Sequence, residues 1–191
     1  VTKENGVGGK LIVNISGGGG GGATGPTGPT GAGGALGNWG SFWDVGDKGV
    51  ASTTTAYGIT FSNSDPSNYG ISVTDTDKIT FTQGGVYNLQ FSAQLRNTDN
   101  ADHDATFWFR KNGQDIEDSG GVVSVPARKT ANEYGYALPC WNIMLPISSG
   151  DYIQMYWHAS STSVTMHTFT GGGTPTHSRS PSIIFTAQQV M

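Results

Sequence analysis

Cys140 is the only cysteine in this chain of 191 residues, and that scarcity excludes a good deal. One thiol cannot build an internal disulfide framework, nor a cysteine-based zinc cluster. Set in the apolar run Cys140-Trp141-Asn142-Ile143-Met144-Leu145, it reads as a small buried hydrophobe. Charge is also scarce: Asp, Glu, Lys and Arg make up 13% of the residues, well below the quarter usual in globular domains. Net charge is −4 and there is no Lys/Arg run, so the phosphate attraction that dominates nucleic-acid binding is missing and nucleic acid is not an expected partner. No segment approaches the roughly eighteen apolar residues of a membrane-spanning helix, so no membrane insertion is expected. The N-terminus lacks the hydrophobic block of a signal peptide, while a start at Val1 instead of methionine leaves room for a removed leader or a longer upstream part. No stretch sustains a 3.6-residue apolar period with caps, so almost no helix is predicted.

Glycine is abundant, and in one place it is periodic. From Gly19 it returns at every third position, through Gly22, Gly25, Gly28, Gly31, Gly34 and Gly37 to Gly40, with Gly25-Pro26-Thr27 and Gly28-Pro29-Thr30 in phase. Three polyproline-type strands wound together have room at their axis only for hydrogen, which is why a collagen-like triple helix needs glycine at every third residue. A flexible glycine-rich linker is the alternative, but a linker has no need of proline in phase with the glycines. The pattern predicts a short three-stranded stalk, with Gly22, Gly25, Pro26, Gly28, Pro29 and Gly31 as its trimerising residues. So short a stalk is marginal alone, and a larger unit must hold the three chains in register.

Ahead of the stalk, Lys10-Leu11-Ile12-Val13-Asn14-Ile15 reads as one short strand with no local partner. A strand placed there is expected to dock onto something else or onto its symmetry mates, with Leu11, Ile12, Val13 and Ile15 as the anchoring residues. A frayed terminus is the alternative.

After the stalk the pattern is of short β-branched and aromatic runs between Gly/Asn/Asp/Ser turns. Leu36 to Phe42 is expected to open the globular part. The clearest strand follows Gly84-Gly85, where Tyr87, Leu89, Phe91, Ala93 and Leu95 alternate with Asn88, Gln90, Ser92, Gln94 and Arg96. Asn112-Gly113 is the preferred type I′ hairpin turn between Thr106-Phe107-Trp108-Phe109-Arg110 and Gln114-Asp115-Ile116. Roughly ten such strands argue for an all-β, two-sheet sandwich, for which a jelly roll is the common solution.

Triplets feeding a β-sandwich resemble the family that carries a collagen-like stalk and a trimeric TNF-like jelly-roll head, as in complement globular heads and short-chain collagens. Gly85-Val86-Tyr87-Asn88-Leu89-Gln90-Phe91 is similar to that family's glycine-x-tyrosine-x-phenylalanine strand, with leucine intervening. Phe109-Arg110-Lys111-Asn112-Gly113 and Gly150-Asp151-Tyr152-Ile153-Gln154-Met155 are similar to its lysine-asparagine-glycine hairpin and its late glycine-aspartate strand. The segments Gly37-Asn38-Trp39-Gly40-Ser41-Phe42-Trp43-Asp44 and Pro181 to Val190 further resemble a branch found in tailed bacteriophages. The resemblance implies a homotrimeric, non-enzymatic virion appendage at the particle surface, either a capsid decoration (head fibre) or a tail fibre, held by its N-terminus to a capsid or tail protein. The triplet region departs from the family in being very short. On this reading residues 1–16 are an anchor segment, 17–36 a Gly-rich neck and 37–191 a jelly-roll head. A bacterial or spore surface filament protein of the same build is the alternative.

Chemistry-bearing residues are few, and no cofactor motif is found. Gly9-Lys10 lacks the upstream glycine and the following Ser/Thr of a phosphate loop. His103, His158, His167 and His177 show no zinc-helix spacing, though His158 and His167 could face one another across neighbouring strands. Asp99, Asp102 and Asp104 group hard oxygen ligands of the kind calcium takes, without the glycine a calcium loop wants at its sixth position. Asp115, Glu117 and Asp118 could in principle form the carboxylate pair of a glycan-cleaving spike, a third function to set beside the first two. For binding, Val164 to Arg179 presents His167, Phe169, His177 and Arg179 around Gly171-Gly172-Gly173, and Tyr134 and Tyr136 form a second patch. Such rings are suited to stacking on the sugars of a host-surface glycan, or to packing at the trimer interface.

Overall fold

The computed structural model describes residues 37–191 throughout, together with the backbone of Glu4–Asn5 and Leu11–Ile12. Two compact units are distinguished, residues 1–33 and 34–191. In the first, β1 (Glu4–Asn5) and β2 (Leu11–Ile12) pair antiparallel, Glu4 opposite Ile12 and Asn5 opposite Leu11. This corrects the expectation of a strand with no local partner: the pairing satisfies backbone groups that a lone strand leaves open. Val13, Ile15 and the neck residues Gly22, Gly25, Pro26, Gly28, Pro29 and Gly31 lie outside the described residues.

The second unit is all-β, with no helix among the described residues. Its strands in chain order are β3 (Trp39–Asp44), β4 (Lys48–Gly49), β5 (Tyr57–Gly58), β6 (Asn63–Ser64), β7 (Ile71–Thr74), β8 (Lys78–Phe81), β9 (Gly85–Ala93), β10 (Leu95–Asn97), β11 (His103–Lys111), β12 (Gln114–Asp115), β13 (Gly121–Val125), β14 (Gly135–Ala137), β15 (Cys140–Ile147), β16 (Tyr152–Ala159), β17 (Val164–Met166) and β18 (Ile183–Gln189). The expected opening strand therefore begins at Trp39, three residues later than Leu36.

Three antiparallel sheets form. A five-stranded sheet runs β15-β9-β18-β3-β6, and a seven-stranded sheet runs β12-β11-β16-β8-β7 with β13 on β11 and β5 on β16. A smaller sheet, β14-β10-β17-β4, lies where the chain of β9 continues past Gln94 into β10. Gln94 breaks the ladder because its N–H donates to Ser182 O while its carbonyl accepts from His167 N, so one run of alternating residues serves two sheets. Inward positions stay apolar across the break: Tyr87, Leu89, Phe91, Ala93 and Leu95 are all buried, as the alternation predicts.

The two large sheets pack face to face through aromatic rings. Phe91 of β9 meets Phe107 and Phe109 of β11 at centroid separations of 5.5 and 5.9 Å, and Phe109 reaches Phe185 of β18 at 6.3 Å. Trp141 on β15 closes edge-on against Phe91 at 4.3 Å. A β-sandwich with a continuous core results, and the burial of each such ring contributes on the order of 2–3 kcal/mol. The Asn112-Gly113 turn is the expected type I′ hairpin, with φ of 52° and 81° joining Lys111 to its opposite Gln114.

Cys140 corrects its expectation. Along β15 exposure strictly alternates, with Trp141, Ile143 and Leu145 facing the core and Cys140, Asn142, Met144 and Pro146 facing out. The run is apolar in composition, but the two-residue period assigns the thiol to the exposed side.

Candidate functional site

The smaller sheet assembles a ring cluster from three distant parts of the chain. Leu95 and Asn97 of β10 point inward and are fully buried, so Arg96 between them must point out. Arg96 sits opposite Tyr136 of β14 on one side and Thr165 of β17 on the other. Beyond β17 the chain carries His167 and Phe169, and β4 pairs with β17 so as to bring Asp47 alongside.

Hydrogen bonds fix the polar centre. His167 Nδ1 lies 2.6 Å from Asp47 Oδ2, and Arg96 Nη1 lies 3.0 Å from His167 Nε2. Arginine only donates, so Nε2 must accept and the imidazole proton sits on Nδ1, donated to Asp47. Thr168 N donates to Asp47 Oδ1 at 2.9 Å, and Arg96 Nη2 stands 3.7 Å from Asp47 Oδ2. Partial burial pushes the Asp47 carboxyl up, but the Thr168 N–H, His167 and Arg96 together outweigh it and hold it below the ordinary carboxylate value.

Around this centre stand the rings. Arg96 lies over Tyr134 at 5.3 Å, and Phe169 stands edge-to-face between His167 at 5.0 Å and Tyr136 at 5.1 Å. The two patches read separately in the sequence are thus one cluster of Tyr134, Tyr136, His167 and Phe169. His177 and Arg179 ride on the same 170–180 loop, whose base is closed by Phe169 pairing with Ser180 and whose tip is closed by Gly172 pairing with His177. Both are exposed, and no described contact brings either against the rings. Sequence reasoning missed Arg96 and Asp47. The outward phase of Arg96 was visible in the alternation from Tyr87, whereas Asp47 lies 120 residues from His167 and carried no local signal.

The His167–Asp47 pair has the look of half a hydrolytic triad, but its geometry opposes that chemistry. The base nitrogen Nε2 already faces an Arg96 donor and is not free to take a nucleophile's proton. His158 does not approach His167: it lies on β16 opposite Thr106, in the seven-stranded sheet.

The acidic groups are dispersed among protein partners. Asp99 is held 2.8 Å from His103 Nε2 and accepts from Asn100 N, Asp102 accepts from Ala127 N at 2.7 Å, and Asp104 is exposed on β11. Among the described residues no three His, Cys, Asp or Glu side chains converge as metal ligands. Asp115 accepts from Trp108 Nε1 and Arg110 Nε, and Arg110 first, then Trp108, hold its carboxyl below the ordinary value. A glycosidase acid needs the opposite shift. Glu117 and Asp118 are exposed on the chain leading into β13.

No protein-family model matches the chain, and no curated protein matches it significantly.

Proposed function

We propose that this chain is a non-enzymatic bacteriophage virion protein, a homotrimeric appendage that serves as capsid decoration (head fibre) or tail fibre. Its N-terminal segment anchors it to a capsid or tail protein, its short glycine-triplet neck projects it, and its jelly-roll head adheres to host-surface glycans. The five longest strands, β9, β11, β15, β16 and β18, alternate between the two large sheets in chain order, while the shorter β13 stays beside β11, and this crossing supports a jelly roll.

The observation that carries the trimer is the outward face of the five-stranded sheet. By register, one row across it reads Asn63, Trp43, Ile184, Ser92, Cys140, the next Ser41, Thr186, Gln90, Asn142, and the third Trp39, Gln188, Asn88, Met144. These rows hold no charged residue, and they put two tryptophans, Ile184 and Met144 on the side of the sheet away from the core. Solvent faces of antiparallel sheets carry charge and short polar groups, whereas charge depletion with aromatic and methionine enrichment marks the centre of an interface. Trp39, Ser41, Asn88, Gln90, Thr186 and Gln188 line a cavity of about 300 Å³ on this face, a socket for side chains of a neighbouring copy. Three-fold symmetry is the choice consistent with the glycine triplets.

Adhesion is assigned to the Tyr134, Tyr136, His167 and Phe169 cluster, repeated three times so that weak single contacts sum to useful avidity. The decisive experiment is gold-labelled antibody against the head, applied to a producing culture that contains cells and released particles. Label on particles, at capsid or tail, is the expected result. Label confined to cell or spore surfaces would replace this reading with the surface-filament one.

A further inference from the structure

We propose a second binding site, a platform for neutral saccharides, on the outward face of the seven-stranded sheet where Trp108, Tyr156 and the Arg110–Asp115 pair converge. It goes beyond the adhesive cluster above, shares no residue with it and does not depend on a virion origin.

The outward positions toward the margins of this sheet include the short polar Ser72 and Thr74 on β7, Thr80 on β8, Asp104 and Thr106 on β11 and Ser124 on β13, along with Lys78, Val122 and Tyr152. In the centre the pattern changes. Trp108 of β11 stands directly opposite Tyr156 of β16, with ring centroids 6.0 Å apart and planes inclined by 35°, and His158 stands edge-on to Trp108 at 6.2 Å. Glycines keep the surroundings low. A Cβ at Gly58, next to Tyr156 on β5, would come 3.6 Å from the tyrosine ring, and Gly120 leaves the flank of Trp108 equally bare.

The rings are held, not loose. Trp108 Nε1 donates to Asp115 Oδ1 at 2.7 Å, Arg110 Nε donates to the same oxygen at 2.5 Å, and the Arg110 guanidinium lies 3.8 Å over the Tyr156 ring. Both bonds fall on Oδ1, so Oδ2 of an Asp115 side chain that is 60% exposed remains to accept from a ligand. The Arg110 and Asp115 charges that touch the rings cancel, and the Asp77 carboxylate near Gly58 accepts from Gln154 Nε2 at 2.7 Å and would repel an anion. That balance, together with the Trp108 ring for a pyranose CH face, Arg110 already lying over a face of Tyr156, and fixed acceptor and donor groups for hydroxyls, fits an uncharged sugar better than an anionic one.

The test is binding of the full-length protein to immobilised neutral oligosaccharides ending in galactose, glucose or mannose, beside sialylated counterparts, with Trp108→Ala, Asp115→Asn and Tyr136→Ala variants checked for native melting. Asp115→Asn keeps the side-chain shape, so it reports on the site even if Trp108→Ala fails to fold. Binding of a neutral glycan that falls about tenfold in Trp108→Ala, weakens in Asp115→Asn and persists in Tyr136→Ala supports the platform. No binding of neutral glycans, binding of sialylated glycans alone, or loss of binding in Tyr136→Ala with the other two variants unaffected would overturn it.

Discussion

Asp151 shows how much a single side chain joins. The Lys111-Asn112-Gly113 hairpin and the Gly150-Asp151-Tyr152 stretch, read in the sequence as two separate resemblances, form one hydrogen-bonded unit. Asn112 Nδ2 donates to Asp151 Oδ1 at 2.8 Å, Asn112 Oδ1 accepts from Tyr152 N, Ser148 N donates to Asp151 Oδ2, and Lys111 Nζ stands 2.9 Å away. Lys111, then Asn112, then the Ser148 N–H pull the Asp151 carboxyl down to about 2 from 3.8. Because the folded value lies below the unfolded one, the contribution is whole above about pH 4 and disappears as pH falls through about 2. Asp151→Asn should cost about 1 kcal/mol near neutral pH once solvent screening is allowed for, and urea midpoints of the two proteins should converge near pH 2. A gap that stays constant with pH would mean that the charge is not what Asp151 contributes. Gly135 is a second case at this scale. A Cβ there would sit 1.7 Å from the Pro126 carbonyl oxygen, a backbone atom that cannot swing aside. Gly135→Ala should destabilise by about 2–4 kcal/mol, measured by thermal or urea unfolding, and should loosen Tyr136 beside it. The rings on either side of that glycine were legible in the sequence. The need for the glycine was not, because Pro126 approaches it only in the folded chain.

At the scale of the strand, β-branched and aromatic runs between turns marked most of the head, the two-residue strands β4 and β6 excepted, and the clearest signal was the two-residue period from Tyr87 to Arg96. Composition misled where it was trusted over phase. The apolar composition around Cys140 predicts a buried thiol, although alternation along β15 gives Trp141, Ile143 and Leu145 to the core and leaves Cys140 outside. The candidate cluster was half legible for a related reason. Tyr134, Tyr136, His167 and Phe169 could be picked out by type, but their union runs through Arg96 and Asp47, which only the pairing of β10 and β17 with β14 and β4 brings together. The thiol now reports on the proposed assembly. Cys140 shares a row with Ile184 and Trp43 on the outward face of the five-stranded sheet. If that face joins three copies, Cys140 should react slowly with a neutral thiol reagent in the native assembly. Ile184→Lys, which places a charge in the row, should both lower the solution mass toward one chain and speed the reaction markedly. Fast labelling of the unmodified protein at its full assembled mass would move the interface elsewhere.

For the whole molecule, the proposed trimer raises the question of which part would hold three copies together. The glycine triplets fit the three-stranded neck proposed above but are too few to make it stable by themselves, since a triple helix gains only through length and imino-acid content. The head offers a core of its own and a charge-free face, so association of the heads would raise the effective concentration of the three necks and permit a stalk that isolated peptides could not form. Gly28 falls in the middle of the triplets, and in the proposed neck an aspartate there would put both a side chain and a charge where a triple helix has room only for hydrogen. Gly28→Asp should therefore abolish the polyproline-type circular-dichroism signal of the neck while light scattering still gives the mass of three chains and the head keeps its melting temperature. If the variant instead fell to single chains with an unfolded head, the neck would be the trimerising element and the sandwich its dependent. The outward tryptophans of the five-stranded sheet would then need another explanation.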